Sequence, residues 1–270
     1  MAVFQIQMFS PTLQTNTGVT VIIPTPDSSE MQRSGGMDYF CDGVKYQVLY
    51  LLHGLYGDHT NWLRYTSIER YIQDRRLAVV MPAVGNSFYQ NMYHGPDYLT
   101  YITQELPQYI CRLFPISGKR EDTFVAGLSM GGYGAVKCAF QCPEQYAACA
   151  SLSGALDVEG LLDNFDTGDQ RSMWWNIFKD PQSARTGEAN LFVLAKKRQE
   201  EGRALPPVFQ TIGTEDYLYE NNQTAKAKLE ALGITPYYTE HPGVHDWAYW
   251  DKYIQEALDW MPLKGDTLKG

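Results

Sequence analysis

The sequence predicts a doubly wound α/β fold, in which helices cover both faces of a mostly parallel sheet. Short, almost wholly apolar runs alternate with helical segments along the chain, which is typical of strands buried between two helical layers. One such run, Thr123–Gly127, is followed two residues later by a serine that has a glycine two positions away on each side, and then by a helix. Open α/β sheets present their functional side chains at such strand ends.

The elements can be followed in order from the amino terminus. An opening pair of strands, Val3–Ser10 and Gly18–Pro24, is predicted to form an antiparallel edge. The later predicted strands are Tyr46–Leu52, Leu77–Pro82, Thr123–Gly127, Ala147–Ser153, Pro207–Gly213 and Thr235–Glu240. The predicted helices are Thr60–Arg75, Tyr98–Leu113, Met130–Gln141, Asn190–Glu201, Asn222–Leu232 and Trp247–Trp260. Pro107 lies inside the second helix and is expected to kink or restart it.

The length of 270 residues is compatible with one α/β domain, and we expect residues 1–270 to form a single unit. The segment Ala155–Leu205 is too long for a simple connection between neighbouring strands. It is rich in aspartate, glycine and aromatic residues. We therefore predict a small helical cap inserted at about residues 155–205.

Charge and hydropathy exclude several classes of partner. The net charge is −9 and Lys/Arg clusters are absent, which disfavours nucleic acids and anionic membranes as partners. No run approaches the roughly 18 apolar residues that cross a bilayer. The amino-terminal residues 1–8 alternate like a strand and lack the features of a secretory signal, so we expect a cytoplasmic protein.

The cysteines and glycine-rich segments give no sign of a metal or cofactor. There are five cysteines, an odd number that favours free thiols over a disulfide framework. The histidines are not spaced with them as zinc ligands. No phosphate-binding loop or dinucleotide fingerprint is present, so we expect neither a metal nor a cofactor.

The segment 124–135 has the pattern of a nucleophile elbow, the strand–serine–helix turn of α/β-hydrolases. This turn strains its central residue, and the residues two positions away must leave room for it. Gly127 and Gly131 meet that requirement. Ser129 is therefore predicted to project from the strand tip as a nucleophile.

A serine nucleophile needs a histidine base and an acid, which follow it in the order Ser, Asp or Glu, His in this fold. The strand Pro207–Gly213 ends in a small polar turn that contains Glu215 and Asp216. Asp216 is the candidate acid, whereas Glu215 fits a solvated turn carboxylate better. His245, on the loop before the last helix, is the candidate base. His241 is its competitor, but at a strand end before proline it is expected to pack or cap.

The negative charge that develops on the ester carbonyl oxygen requires backbone N–H donors. One should be the amide of Met130, the residue after the nucleophile, and the other should come from the loop after the third strand. Gly54 lets that loop turn inward, which would direct the Leu55 amide at the site. His53 is then expected to hydrogen-bond the loop and to play no part in proton transfer.

Aromatic and polar residues near the predicted strand ends are candidates for substrate contacts. Some lie on the loop after the fourth strand, others in the predicted cap, and the rest beside the oxyanion loop and the base. Several could equally well be packing residues. The candidates are Trp62, Tyr89, Tyr93, His94, Trp174, Trp175 and Trp247.

The chain resembles the esterase D group of α/β-hydrolases, especially the tributyrin esterase branch. The matching segments span most of the sequence: His53–Leu55 with Asn61–Trp62, Gly85–Tyr89, Gln104–Pro107, Gly127–Gly132, Gly213–Asp216 and His245–Trp247. The resemblance implies a serine carboxylesterase with the triad Ser129, Asp216 and His245 and with the Leu55 and Met130 amides as oxyanion donors. It also implies short acyl esters as substrates, acetyl or feruloyl groups on plant polysaccharide fragments in relatives, and homo-oligomers.

Three other functions remain open at this point. S-formylglutathione hydrolases differ from this chain around the oxyanion turn and after the fourth strand, which disfavours glutathione thioesters. An acyltransferase would use the same triad with an alcohol in place of water. A catalytically inactive binding protein is disfavoured, because all three triad residues are present.

Overall fold

A computed structural model describes residues 1–26, 28, 31–32, 43–162 and 171–264. Their strands form one eight-stranded sheet in the order β1-β2-β4-β3-β5-β6-β7-β8. The strands are β1 (Ala2–Ser10), β2 (Thr15–Ile23), β3 (Gln47–Leu52), β4 (Leu77–Pro82), β5 (Thr123–Leu128), β6 (Ala148–Leu152), β7 (Val208–Gly213) and β8 (Tyr237–His241).

The strand directions confirm the predicted mostly parallel, doubly wound sheet. β1 pairs antiparallel with β2, and β2 pairs antiparallel with β4. All other pairings, from β4 through β3 and β5 to β8, are parallel. The carboxyl ends of β5, β6, β7 and β8 therefore lie on one edge of the sheet, where open α/β sheets hold their functional residues.

Strand β3 shows why the inner parallel strands are mostly apolar. Its even-numbered residues Val48, Tyr50 and Leu52 belong to the core on one face, while Leu49 and Leu51 belong to the core on the other. Successive side chains in a strand point to opposite faces, so both must be apolar when helices cover both. The chain thus has two hydrophobic cores, one on each side of the sheet.

The helices follow the predicted order, with two differences. The described helices are α1 (Asn61–Tyr65), α2 (Ile68–Gln73), α3 (Tyr98–Thr100), α4 (Leu106–Leu113), α5 (Met130–Gln141), α6 (Val158–Leu162), α7 (Arg171–Phe178), α8 (Pro181–Thr186), α9 (Leu191–Glu200), α10 (Tyr219–Ala231) and α11 (Trp247–Trp260). The bounds of α5 and α11 are those predicted.

The first difference is that the predicted helix Thr60–Arg75 is wrong as one unit, since it is broken between α1 and α2. Thr66 adopts an extended conformation, and its hydroxyl donates to the Trp62 carbonyl at 2.5 Å. The Ser67 amide donates instead to Asp251 Oδ1 of α11, at 2.8 Å. Hydroxyl residues offer the backbone such alternatives, and here the tertiary partner ends the helix.

The second difference is one of detail. The irregularity predicted at Pro107 is present, and the structure shows its form. The five residues Tyr101–Glu105 form a π-helical turn between α3 and α4, and Pro107 stands at the start of α4. Proline has no amide hydrogen to donate and is tolerated only in the first turn of a helix. The wider turn before it absorbs the mismatch.

The chain between β6 and β7 holds helices α6, α7, α8 and α9, within the insertion predicted at about 155–205. Its last part is attached to α5 by buried polar side chains. Lys137 Nζ donates to the Glu188 carbonyl at 2.6 Å, and the Tyr133 hydroxyl donates to the Ala189 carbonyl at 2.6 Å. Burial lowers the pKa of Lys137 to about 8. That the insertion acts as a cap stays a prediction.

The described ranges contain neither a candidate membrane-spanning helix nor a candidate metal site. Among them no helix has the length and apolar character needed to cross a bilayer. In the same ranges no three His, Cys, Asp or Glu side chains are grouped so as to hold a metal ion. The four described cysteines, Cys111, Cys138, Cys142 and Cys149, are free thiols, and Cys41 lies outside the described residues.

Candidate active site

Ser129 stands alone between the end of β5 and the first residue of α5, as the elbow pattern predicts. Its backbone has φ 53° and ψ −120°, a region that residues other than glycine seldom occupy. Such a conformation costs about 1–3 kcal/mol and persists only where the surroundings enforce it. Here the Ser129 amide donates to the Leu152 carbonyl at 2.9 Å, which fixes the turn against β6.

The two glycines of the elbow are required because backbone atoms occupy the space that a side chain would fill. A Cβ at Gly127 would lie 2.3 Å from the Gly131 carbonyl oxygen, and one at Gly131 would lie 2.4 Å from the Leu52 carbonyl oxygen. Both distances are far below van der Waals contact. The close approach of α5 to β3 and β5 thus depends on these glycines.

Gly127→Ala is therefore expected to destabilise the protein and to misplace Ser129. A forced backbone shift in a packed interior costs about 1–3 kcal/mol, which would lower Tm by roughly 2–10 °C for a chain of this size. Thermal unfolding and esterase assays would measure both effects. Gly118→Ala is the control, since its Cβ would meet only Cys111 Sγ at 3.7 Å. Equal Tm values for both variants would contradict the steric explanation.

The three side chains predicted from separate loops meet in one hydrogen-bonded chain. His245 Nε2 lies 2.9 Å from Ser129 Oγ. His245 Nδ1 lies 2.8 Å from Asp216 Oδ2 and 3.0 Å from Oδ1. The Asp216 side chain is fully buried, and its Oδ1 also accepts the Leu218 amide at 2.8 Å. This arrangement can transfer a proton from the serine hydroxyl to the imidazole and can stabilise the resulting imidazolium.

Backbone contacts hold the acid and base loops against each other. The Thr214 amide donates to the His241 carbonyl at 2.9 Å, and the Glu215 amide donates to the Gly243 carbonyl at 3.1 Å. A Cβ at Gly213 would lie 2.2 Å from the Gly243 carbonyl oxygen, so the two loops can approach only through glycine. The relative positions of Asp216 and His245 are thus set by the ends of β7 and β8.

The competing acid and base occupy structural positions. Glu215 is exposed, and its Oε2 accepts the Gly243 amide at 2.6 Å and the Thr214 hydroxyl at 2.8 Å. His241 stacks on the Tyr253 ring at 4.1 Å, and its Nε2 lies 3.1 Å from Glu256 Oε2. Neither residue contacts Ser129, so the geometry favours Asp216 and His245.

The loop after β3 passes beside the elbow, as required of an oxyanion loop. A Cβ at Gly54 would lie 3.4 Å from Ser129 Cβ, so the loop approaches the nucleophile closely. Leu55 lines the cleft in front of Ser129. Met130 is the first residue of α5, and the first amides of a helix have no carbonyl partner within it. Oxyanion binding by the Leu55 and Met130 amides stays a prediction.

His53 has the structural role that the sequence indicated. The Val84 amide donates to His53 Nε2 at 3.1 Å, so Nδ1 carries the proton and donates to the Gly54 carbonyl at 2.7 Å. Burial lowers the pKa of His53 and keeps the imidazole neutral. The ring thereby joins the oxyanion loop to the loop after β4.

Ser129 and His245 open onto a cleft of about 690 Å³. Besides these two residues, the oxyanion loop and Leu128, its wall is mainly aromatic. The aromatic residues and one amide that line it are Tyr56, Tyr65, Tyr217, Trp247, Trp250 and Asn61. The cleft therefore offers apolar and hydrogen-bonding surface next to the nucleophile. Trp247 was among the predicted substrate contacts and lies in this wall, although its contact with substrate stays a prediction.

Three other predicted contact residues are buried and do not line the cleft, so those predictions are wrong. Trp62 belongs to the core, where its Nε1 donates to the Leu52 carbonyl at 2.9 Å. Tyr89 has φ 52°, which turns its ring under α5 into the space left by Gly134. Its hydroxyl donates to the His53 carbonyl at 2.8 Å. Trp174 packs against the rings of Phe88 and Phe178.

The remaining three candidates are exposed and lie outside the wall of this cleft, and their contact with substrate stays a prediction. The Tyr93 amide donates to the Ile177 carbonyl at 3.2 Å, and the His94 amide donates to the Asn176 carbonyl at 2.9 Å. These bonds attach the loop after β4 to α7 rather than to the site. Trp175, on α7, is exposed and is likewise absent from the cleft wall.

Most residues of the aromatic wall are not among the predicted contacts, although the sequence contains weak signals for them. Trp250 follows Trp247 by three residues on α11, so the two lie on one helix face, and the Trp250 ring meets His245 edge-on at 4.9 Å. Tyr56 belongs to the oxyanion loop itself. Tyr217 directly follows the acid on the same strand-end loop.

Comparisons with known proteins identify the family of this chain. The Esterase family profile matches residues 28–261. An acetyl esterase of Caldicellulosiruptor saccharolyticus is 30% identical over 98% of this chain and 100% of its own length. The solved structure of FphF, a fluorophosphonate-binding serine hydrolase of Staphylococcus aureus, has 35% identity and a TM-score of 0.85, and covers 96% of this chain and 98% of its own.

A second solved structure from Staphylococcus aureus, the S-formylglutathione hydrolase FrmB, shows a similar likeness. It has 35% identity and a TM-score of 0.83, over 96% of this chain and 98% of its own. The fold, the elbow and the family match agree with one another. The chain therefore belongs to the Esterase family of serine hydrolases with the α/β-hydrolase fold, and it is a carboxylic ester hydrolase.

Proposed function

We propose that this enzyme hydrolyses short-chain acyl esters through an acyl-enzyme formed on Ser129. The observation that carries the proposal is the hydrogen-bonded chain from Asp216 through His245 to Ser129, which opens onto the aromatic cleft. No other described histidine contacts a described serine that stands at a strained strand end. The proposed roles are nucleophile for Ser129, base for His245 and orienting acid for Asp216.

The reaction follows from these positions. His245 Nε2 takes the Ser129 proton while Oγ attacks the ester carbonyl, and the Leu55 and Met130 amides receive the oxyanion. The intermediate then breaks its bond to the leaving oxygen, and the His245 imidazolium supplies the proton that frees the alcohol. Water attacks the acyl-enzyme with His245 again as base, which returns Ser129 and releases the acid.

For the acyl group we propose acetyl to butyryl, with acyl or feruloyl groups on carbohydrate as the natural class. The similar acetyl esterase supports the short acyl chain, and the aromatic wall of Tyr56, Tyr65, Tyr217, Trp247 and Trp250 offers surfaces on which a sugar or an aromatic acid can stack. Two alternatives use the same triad. The likeness to FrmB favours a formyl thioesterase as the first, and an acyltransferase that replaces water by an alcohol is the second.

A hydrolysis panel separates these functions. We expect p-nitrophenyl acetate and butyrate to be cleaved with higher kcat/KM than p-nitrophenyl octanoate, because the similar acetyl esterase supports a short acyl chain. A feruloyl ester and S-formylglutathione complete the panel. A higher kcat/KM for S-formylglutathione than for the oxygen esters would contradict the esterase proposal and would support the formyl thioesterase. Transfer of the acyl group to added glycerol or sugar would establish the second.

We also propose that the enzyme acts as a homo-oligomer in the cytoplasm. Free thiols at the four described cysteines suit a reducing compartment. The oligomer rests on the family resemblance alone. Light scattering during size-exclusion chromatography would measure the mass in solution, and a value near the 30.7 kDa of one chain would exclude the oligomer.

A further inference from the structure

Tyr217 occupies a position that the triad mechanism leaves without a role. It follows Asp216 on the loop between β7 and α10, and it lines the cleft together with Ser129 and His245. The residue is 76% exposed, so packing of the fold does not require its ring. An exposed tyrosine at the mouth of a catalytic cleft is available to substrate.

The contacts of Tyr217 place its ring beside the base, in the wall of the cleft that also holds the nucleophile. Its ring lies 4.5 Å from the His245 ring at an angle of 45°. Tyr217 and Ser129 line the same cleft. Partial desolvation and the nearby Asp216 carboxylate raise the pKa of Tyr217, so the phenol stays protonated and remains a hydrogen-bond donor.

The leaving oxygen of an ester must come close to this hydroxyl. His245 Nε2 lies 2.9 Å from Ser129 Oγ, and the same nitrogen must later reach the leaving oxygen to protonate it. The leaving oxygen therefore occupies a position beside Ser129 Oγ on the His245 side. The carbonyl oxygen points the other way, toward the Leu55 and Met130 amides. The Tyr217 ring packs beside the His245 ring, so Tyr217 lies on the same side of the cleft as the base.

We propose that Tyr217 is a further catalytic residue, whose hydroxyl donates a hydrogen bond to the leaving-group oxygen as the tetrahedral intermediate breaks down. The bond between the carbonyl carbon and that oxygen breaks, its electron pair moves to the oxygen, and the proton comes from His245 Nε2. Tyr217 keeps its own proton. This proposal rests on the proposed acyl-enzyme mechanism and adds a donor for the departing oxygen.

The proposal predicts a dependence on the alcohol that leaves. An alkoxide is a strong base that carries concentrated charge, so a donor to it lowers the barrier substantially. A nitrophenolate spreads its charge over the ring and gains little from the same donor. Loss of the hydroxyl should therefore harm alkyl esters more than aryl esters of the same acid.

Tyr217→Phe tests this directly, because it removes the hydroxyl and keeps the ring against His245. We expect kcat/KM for ethyl acetate to fall about 10- to 100-fold, the value of a donor to a charged group, and kcat/KM for p-nitrophenyl acetate to fall much less. A plot of kcat/KM against leaving-group pKa should become steeper. Tyr237→Phe, which removes the hydroxyl of an exposed tyrosine on β8, is the matched control and should leave the slope unchanged.

Equal losses on alkyl and aryl esters, or no loss on either, would overturn the role of Tyr217. A purely structural effect would move both series together and would lower Tm. Failure of the underlying mechanism gives a different result, because Ser129→Ala would then retain turnover whatever Tyr217→Phe does. The two outcomes are therefore distinguishable with one set of substrates.

Discussion

Ser129→Ala is expected to lower kcat/KM for p-nitrophenyl acetate by about 10⁴- to 10⁶-fold, the range found when a triad nucleophile is removed. The variant loses the oxygen that forms the acyl-enzyme, and no other described side chain in the cleft stands 2.9 Å from His245 Nε2. The fold should remain intact, since alanine keeps the Cβ and the backbone amide that donates to Leu152. Steady-state kinetics and thermal unfolding measure both effects.

Ser153→Ala is the matched control for this experiment. Ser153 is a buried serine that also follows a strand, β6, and has a φ of 48°. Its hydroxyl has no hydrogen-bond partner among the residues that the structure describes. Its removal should change kcat/KM by no more than about twofold. Turnover that survives in Ser129→Ala after repurification would end the assignment of the nucleophile.

Asp216→Asn is expected to lower kcat/KM by about 10³- to 10⁴-fold while preserving the fold. The carboxylate accepts a hydrogen bond from His245 Nδ1–H, which leaves Nε2 free to accept the serine proton. An asparagine can donate to Nδ1 instead, which places the proton on Nε2 and blocks the base. The burial of Asp216 increases the effect, because water cannot replace the lost interaction.

Glu215→Gln is the control for the acid, since it makes the same chemical change one residue earlier. Glu215 is exposed, and a glutamine oxygen can accept the same bonds from the Gly243 amide and the Thr214 hydroxyl. Its kcat/KM should stay within about twofold of the parent enzyme. A larger loss in Glu215→Gln than in Asp216→Asn would reverse the choice between the two carboxylates.

Much of the fold could be predicted because the buried strands carry apolar residues on both faces. That pattern identified the buried strands, and the strands predicted at the two ends of the sheet are also present, with β1 and β2 forming an antiparallel edge. The prediction of one helix over Thr60–Arg75 was wrong, because the segment is broken by a contact with a residue that is distant in sequence. The break depends on Asp251, which is distant in sequence and accepts the Ser67 amide.

The candidate site likewise has some features that the sequence predicted and others that it did not. The elbow could be predicted because its requirements fall on residues that are close together in the sequence. Strain at Ser129 and the close contacts of Gly127 and Gly131 require particular residues at these positions. The aromatic substrate contacts could not be predicted in this way, since the sequence does not show whether a tyrosine or tryptophan lies in a core or in a cleft. Tyr89 was assigned to the substrate, yet its backbone turns its ring inward beneath α5.

The sequence by itself determined the order of the elements and the chemical types of the proposed catalytic residues, because apolar periodicity and a strained serine turn are recorded in neighbouring residues. Only the tertiary structure decided which carboxylate and which histidine belong to the hydrogen-bonded chain that ends at Ser129. It alone also places the Tyr217 ring beside the His245 ring. Those choices depend on how the ends of β5, β7 and β8 come together, and the distances between them are set by packing across the sheet. Adjacent residues in a sequence, such as Glu215 and Asp216, can therefore have opposite environments.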